Sequence, residues 1–179
     1  MIAATVEANR CVVRQEIALL RTLDAAAFNR RAAEVFASTI GGHVRHIIEH
    51  YRAFLDGLRQ RAIDYEKRAR DPRIEQEPAH ALAALQRIDG ELGALDAALH
   101  ADAFAVTAEY GDDADAPPRA ASSALRELEF LLSHTVHHHA LIAVICHLHG
   151  HATPADFGVA PSTLRHQQRT RSPAAACAH

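Results

Sequence analysis

Residues 134–139 read His-Thr-Val-His-His-His inside a long apolar run from Leu125 to Leu148. His134 and His138 are four residues apart, so a helix puts both on one face, one turn from each other. Imidazoles on an apolar stripe need hydrogen-bond partners or something to bind. A bound metal is the sharpest explanation, and satisfied core histidines are the plain one. At about 100° of rotation per residue, Phe130, Leu131, Leu141, Ile145 and Leu148 fall within about 60° of His134, and His138 lies about 40° away. Both imidazoles are therefore expected in the buried stripe. Glu127 lies two turns earlier on the same side, His137 sits at the stripe's edge, and His139 points elsewhere.

A further ligand has to come from another helix. In the segment Gly41–Leu55, His43, His46 and His50 fall within about 60° of one another. Ile47, Tyr51, Phe54 and Leu58 form the adjacent apolar stripe. By angle alone, His43 and His50 lie slightly nearer that stripe than His46. Three imidazoles from two helices would leave coordination positions open for water or substrate, as catalytic metal sites do.

One histidine on an early helix, a long gap, then His-x-x-x-His on a later helix resembles the DinB/YfiT-like superfamily of metal-dependent bundle proteins. Its relatives include thiol S-transferases, mycothiol-dependent maleylpyruvate isomerase and the N-terminal domain of ergothioneine-forming sulfoxide synthases. The family's first ligand sits in a His-apolar-small-acidic context, which His46-Ile47-Ile48-Glu49 fits best. The resemblance therefore implies His46, His134 and His138 as the metal ligands, and it covers about residues 1 to 150. The extra histidines at 43, 50, 137 and 139 depart from the family's simpler pattern, and no motif carries over a particular substrate. The resemblance also makes a homodimer an expectation.

The elements that must position these residues read as an all-α, four-helix bundle with a long crossover connection. A first helix is expected over about Ile2–Leu23, with Val6, Val13, Ile17 and Leu20 as its apolar spacing. A short connection over Asp24–Asn29 follows, then a second helix from near Ser38 to about Ala62. Asp64 to Pro78 is charged and broken by Pro72 and Pro78, so it reads as a long exposed crossover with some helix. The third helix is expected over about Ala79–Leu99. Ala101–Tyr110 alternates weakly and reads as extended, and Gly111–Pro118 as an acidic loop. Ser122 or Ser123 then caps the fourth helix, which runs to about His149.

Residues 154–164 look ordered, with Phe157 and Val159 able to pack on the bundle and Ser162 able to start a helical turn. The domain is read as residues 1–165, followed by a disordered tail over 166–179. His80, His100, His166 and His179 read as solvated bystanders. His147, His149 and His151 suit the negative end of the helix dipole. Cys11, Cys146 and Cys177 form neither a disulfide framework nor a Cys-x-x-Cys site, and Cys11 and Cys146 read as small buried hydrophobes.

At 179 residues the chain is one domain's worth, and the absence of Trp with few aromatics favours closely packed helices. A net charge of −3 and the lack of a basic stripe argue against nucleic acid. The N-terminus does not read as a signal peptide, and no apolar segment reads as a membrane span, so a cytoplasmic location is expected. Three neutral imidazoles would leave a divalent ion most of its charge, enough to activate a thiol or a water. Zinc or nickel is the first expectation, with iron and manganese also compatible. The expected function is a metal-dependent thiol transferase or hydrolase acting on a small molecule, with a low-molecular-weight thiol as a candidate. Glu49 and Glu127 are the acidic candidates for a general base or a ligand's partner. Against these stand an ion pair of Glu49 with Arg45 or Arg52, and a helix-dipole role for Glu127. Two rival functions stay open: a non-catalytic metal-binding stress-response protein with His50 or His137 as a fourth ligand, and a helical interaction protein whose histidines only pack.

Overall fold

The computed structural model describes residues 2–33, 38–95, 103–107 and 119–171. Four long helices, α1 (Ile2–Leu20), α3 (Ile40–Gln60), α5 (Pro78–Gly93) and α6 (Ala124–Leu148), form the bundle. α1 and α3 each pack against both α5 and α6. The core is built from the apolar stripes of all four helices, including Val13 and Ile17, Ile47 and Phe54, Leu85 and Ile88, and Leu131 and Ile142. Among the described residues no helix is long and apolar enough to cross a membrane.

The connections contain more structure than their composition suggests. The expected link over Asp24–Asn29 is the short helix α2 (Ala25–Asn29), started by Asp24, whose side chain accepts from Ala27 N. The crossover contains β1 (Ala62–Ile63) and α4 (Pro72–Gln76). β1 pairs in parallel with β2 (Ala103–Thr107), and β2 pairs antiparallel with β3 (Arg119–Ser123), giving order β1-β2-β3. β2 lies inside the segment expected to be extended. β1 and β3 are not foreshadowed by the sequence, being too short or too small and polar to show an alternating pattern. The expected acidic loop over 111–118 lies outside the described residues, as do His100, Cys177 and His179.

Helix ends follow local chemistry. Thr39 caps α3 by accepting from Gly42 N at 2.9 Å, and the helix stops at Arg61, whose φ of 52° is left-handed. Of the two serines expected to cap α6, Ser123 does so, accepting from Arg126 N. α1 ends at Leu20, three residues before the expected Leu23, and α5 at Gly93. The C-terminal helix α7 (Pro161–Arg171) runs on past His166, where a tail was expected to begin. Phe157 is buried as anticipated, and Cys146 is buried, whereas Cys11 is exposed on the outer face of α1.

α4 lies so close to α3 that a Cβ on Gly41 would stand 2.1 Å from Glu75 O and 2.7 Å from Phe28 Cε1. Both neighbours are fixed, one by its backbone and one by burial. Gly41→Ala is therefore expected to cost about 1–3 kcal/mol of stability, read from urea unfolding. At Gly90 an added Cβ would meet nothing within 4 Å, so this residue is the control, and Gly90→Ala should be neutral or slightly stabilising.

Candidate metal centre

Register between the two histidine-bearing helices is set by a buried polar seam. Tyr51 Oη donates to Asn9 Oδ1 at 2.8 Å, Thr135 Oγ1 donates to Tyr51 Oη at 3.3 Å, and Asn9 Nδ2 donates to Leu128 O at 2.9 Å. These bonds tie α1, α3 and α6 together in the core, where an unmade one would be costly. Tyr51 follows His50 and Thr135 follows His134, so the seam fixes the histidine faces against each other.

At that junction His46, His134 and His138 each offer a ring nitrogen, and the three nitrogens lie within 4.8 Å of one another. Ring centroids are 5.0 Å apart for His46–His134, 4.7 Å for His46–His138 and 4.5 Å for His134–His138. Nitrogens on one tetrahedral zinc stand about 3.4 Å apart, so small side-chain rotations would complete the set. Among the described residues this is the set of three or more such groups with that mutual reach. Of the three candidates on α3, His46 has this mutual reach with the α6 pair, and His43 and His50 are not in the set. His137, the other candidate fourth ligand, is exposed.

The two remaining α3 histidines flank the triad. His43 Nδ1 lies 3.0 Å from His138 Nδ1, a contact in which one nitrogen must carry the proton. With that proton on His138, its Nε2 keeps a lone pair for a metal and His43 is the acceptor. His50 Nδ1 donates to His46 O at 2.8 Å, and its ring stacks on His134 at 4.1 Å.

Electrostatics keep the cluster neutral. Burial, reinforced by neighbouring imidazoles, lowers His134 to about 2 and His138 to about 3. Burial together with His50 and Arg68 lowers His46 to about 4. His43 and His50 are also lowered, chiefly by burial. Neutral imidazoles with free lone pairs are what a divalent ion requires. His134 Nδ1 is buried without a hydrogen bond, an orphan that a metal bond would satisfy. The donor set therefore fits a divalent metal.

The stripe assigned to α6 from angles needs correction. The buried face runs through Leu128, Leu131, Thr135, His139, Ile142 and Ile145, while Leu148 is 44 % exposed. His134 and His138 sit half-buried on the border of that face. α6 is apolar almost all round, so periodicity could not select the side that α1 and α3 cover. His139 does point away from the triad, but into the core, where its Nε2 lies 3.5 Å from Glu16 Oε2 and Phe157 stacks on its ring at 4.2 Å.

Neither acidic candidate faces the triad as a free base. Glu49 accepts from Arg45 Nη1 at 2.9 and 3.1 Å and lies 3.6 Å from Arg68 Nε. Glu127, fully buried in the first turn of α6, accepts from Tyr65 Oη at 2.8 Å, from Arg126 Nη1 at 3.0 Å and from Ser122 Oγ. Its visible effect is to pin Tyr65, whose ring lies 5.4 Å from that of His50.

Beside the triad is a cavity of about 360 Å³, lined in part by His46, His50, Tyr65, Arg68, Phe130 and His134. Tyr65 and Arg68 escape a sequence reading because they lie in the charged crossover. The one available signal is an aromatic ring standing alone in that stretch.

Comparison with known proteins agrees with this architecture. The model of the DinB superfamily matches residues 13–142, and the chain belongs to that superfamily. No curated protein and no solved structure matches the chain.

Proposed function

We propose that the chain is a metal-dependent enzyme in which His46, His134 and His138 hold one divalent ion beside the cavity. The observation that carries this reading is three mutually close, neutral imidazoles from two helices beside an open pocket. When bound, zinc or nickel supplies a Lewis acid that lowers the pKa of a thiol or water. The reaction class is thiol transfer to an electrophile, or hydrolysis, on a small molecule. The aromatic rings of Tyr65 and Phe130, 5.3 Å apart, wall the pocket and limit water near the histidines. His43 and His50 position the triad through their contacts with His138 and His46. A closed, purely structural metal site would need a fourth protein ligand, and neither His50 nor His137 shares the triad's mutual reach. A homodimer belongs to the same reading, by resemblance to the family, and a cytoplasmic location by the absence of a recognisable signal peptide or membrane span.

Elemental mass spectrometry on untagged protein tests it. One metal per chain in the wild type, lost in each of His46→Ala, His134→Ala and His138→Ala, is the expected result. A wild type that is metal-free and cannot be reloaded with zinc, nickel or iron would end the proposal.

A further inference from the structure

We infer that the cavity selects a small molecule carrying a carboxylate, held by Arg68, and a second donor group, such as a thiol, that reaches the histidine triad. This rests on the metal-centre reading above and adds the substrate's chemical class.

Arg68 is the one Lys or Arg lining the cavity among the described residues. Its side chain is 12 % exposed. Nη1 donates to Tyr65 O, and Nε is buried without a hydrogen bond. Glu49 Oε2, at 3.6 Å from Nε, is beyond hydrogen-bond reach and is already engaged by Arg45. Glu66 stands 3.9 Å from Nη1 with half of its side chain in solvent. Nη2 makes no hydrogen bond among the described residues. A guanidinium has five N–H donors in a planar fork; here Nε is turned to Glu49, and the Nη1/Nη2 edge keeps donors beyond the one given to Tyr65 O in a residue that lines the cavity. A structural arginine this deeply placed would have its donors satisfied by the protein. A ligand carboxylate can accept from the Nη1/Nη2 edge in a matching bidentate geometry.

The position of the charge is right for the site. Arg68 lines the same cavity as His46 and His134, two members of the triad. Two rings of the same cavity wall are fixed, Tyr65 by Glu127 and Phe130 by packing on Tyr65 and His134. The volume is near the bottom of the range for small-molecule sites, of about 300–1,000 Å³, which argues for a compact metabolite over a polymer end. Glu66 at the rim disfavours a second negative group on the outer side.

The test uses the full chain loaded with cobalt(II), titrated with 3-mercaptopropionate and with 3-mercapto-1-propanol. These probes share a chain length and a thiol and differ in the carboxylate. Binding is read from the thiolate-to-cobalt charge-transfer absorption. The wild type is expected to bind the acid about tenfold more tightly than the alcohol. In Arg68→Gln the two affinities should converge to within about twofold, with that for the alcohol unchanged. Arg68→Lys, which keeps the charge without the fork, should retain an intermediate preference. Equal binding of both probes to the wild type overturns the inference without recourse to any variant. A preference that survives undiminished in both variants overturns it too, because the ion's own charge would then be its source. Those results leave the metal centre standing, whereas a wild type with no cobalt ligand-field spectrum removes the metal centre and this inference together.

Discussion

Zinc at one hundred times its dissociation constant is expected to raise the melting temperature of the metal-free protein by about 5–10 °C. Binding to the native state alone at that excess contributes about 2.7 kcal/mol. A chain of this length moves by about 2–4 °C for each kcal/mol. The chain contains fourteen histidines, so the unfolded state also captures some zinc, which favours the lower end of the range. His134→Ala should abolish the shift, while His137→Ala, altering an exposed ring on the same helix, should leave it intact. Differential scanning fluorimetry with and without a chelator decides the matter. A zinc shift of equal size in the wild type and His134→Ala would place the bound ion elsewhere.

Acid should have an effect of similar size in the absence of metal. In the folded protein His46 is lowered to about 4, His138 to about 3 and His134 to about 2, against an ordinary value of 6.5. Between those values and 6.5 the unfolded chain binds protons that the folded chain refuses. Stability therefore rises with pH in that window, and is lost as the pH falls from about 6.5 towards about 4. Urea unfolding at pH 7 and pH 5 should differ by several kcal/mol, since each unit of lowering corresponds to about 1.4 kcal/mol. His134→Gln removes one of the refused protons and should make the dependence shallower. Equal stability at the two pH values would mean that the cluster accepts protons freely, contrary to its burial.

The parts of this arrangement that are legible in the sequence are those governed by local spacing. His134 and His138 share a face because they are four residues apart, whatever packs against them. The order of the histidine motifs, with the context of His46, is enough to indicate the family. What cannot be read depends on tertiary contact. Periodicity misplaces the buried face of α6 because that helix offers apolar residues on several sides, and the choice among them belongs to α1 and α3. Tyr65 and Arg68 are hidden in a charged crossover, since a pocket wall contributed by a loop has no periodicity. The pairing of Glu16 with His139 joins helices far apart in sequence, and no spacing within either helix announces it. The small sheet escapes notice because Arg119–Ser123 is short and polar, and becomes a strand by pairing with β2.

His43 and His138 meet across a separation of 95 residues. Neither the first half of the chain nor the second contains the histidine triad, so the site comes into being only when a very long loop closes and α6 docks on α3. Closing such a loop has an entropic cost that must be met before the contacts it permits can offset it. A nascent chain released only as far as the crossover would hold His46 but no α6 partner for it. The completed triad is thus a product of non-local assembly, available only to a chain that has closed that loop.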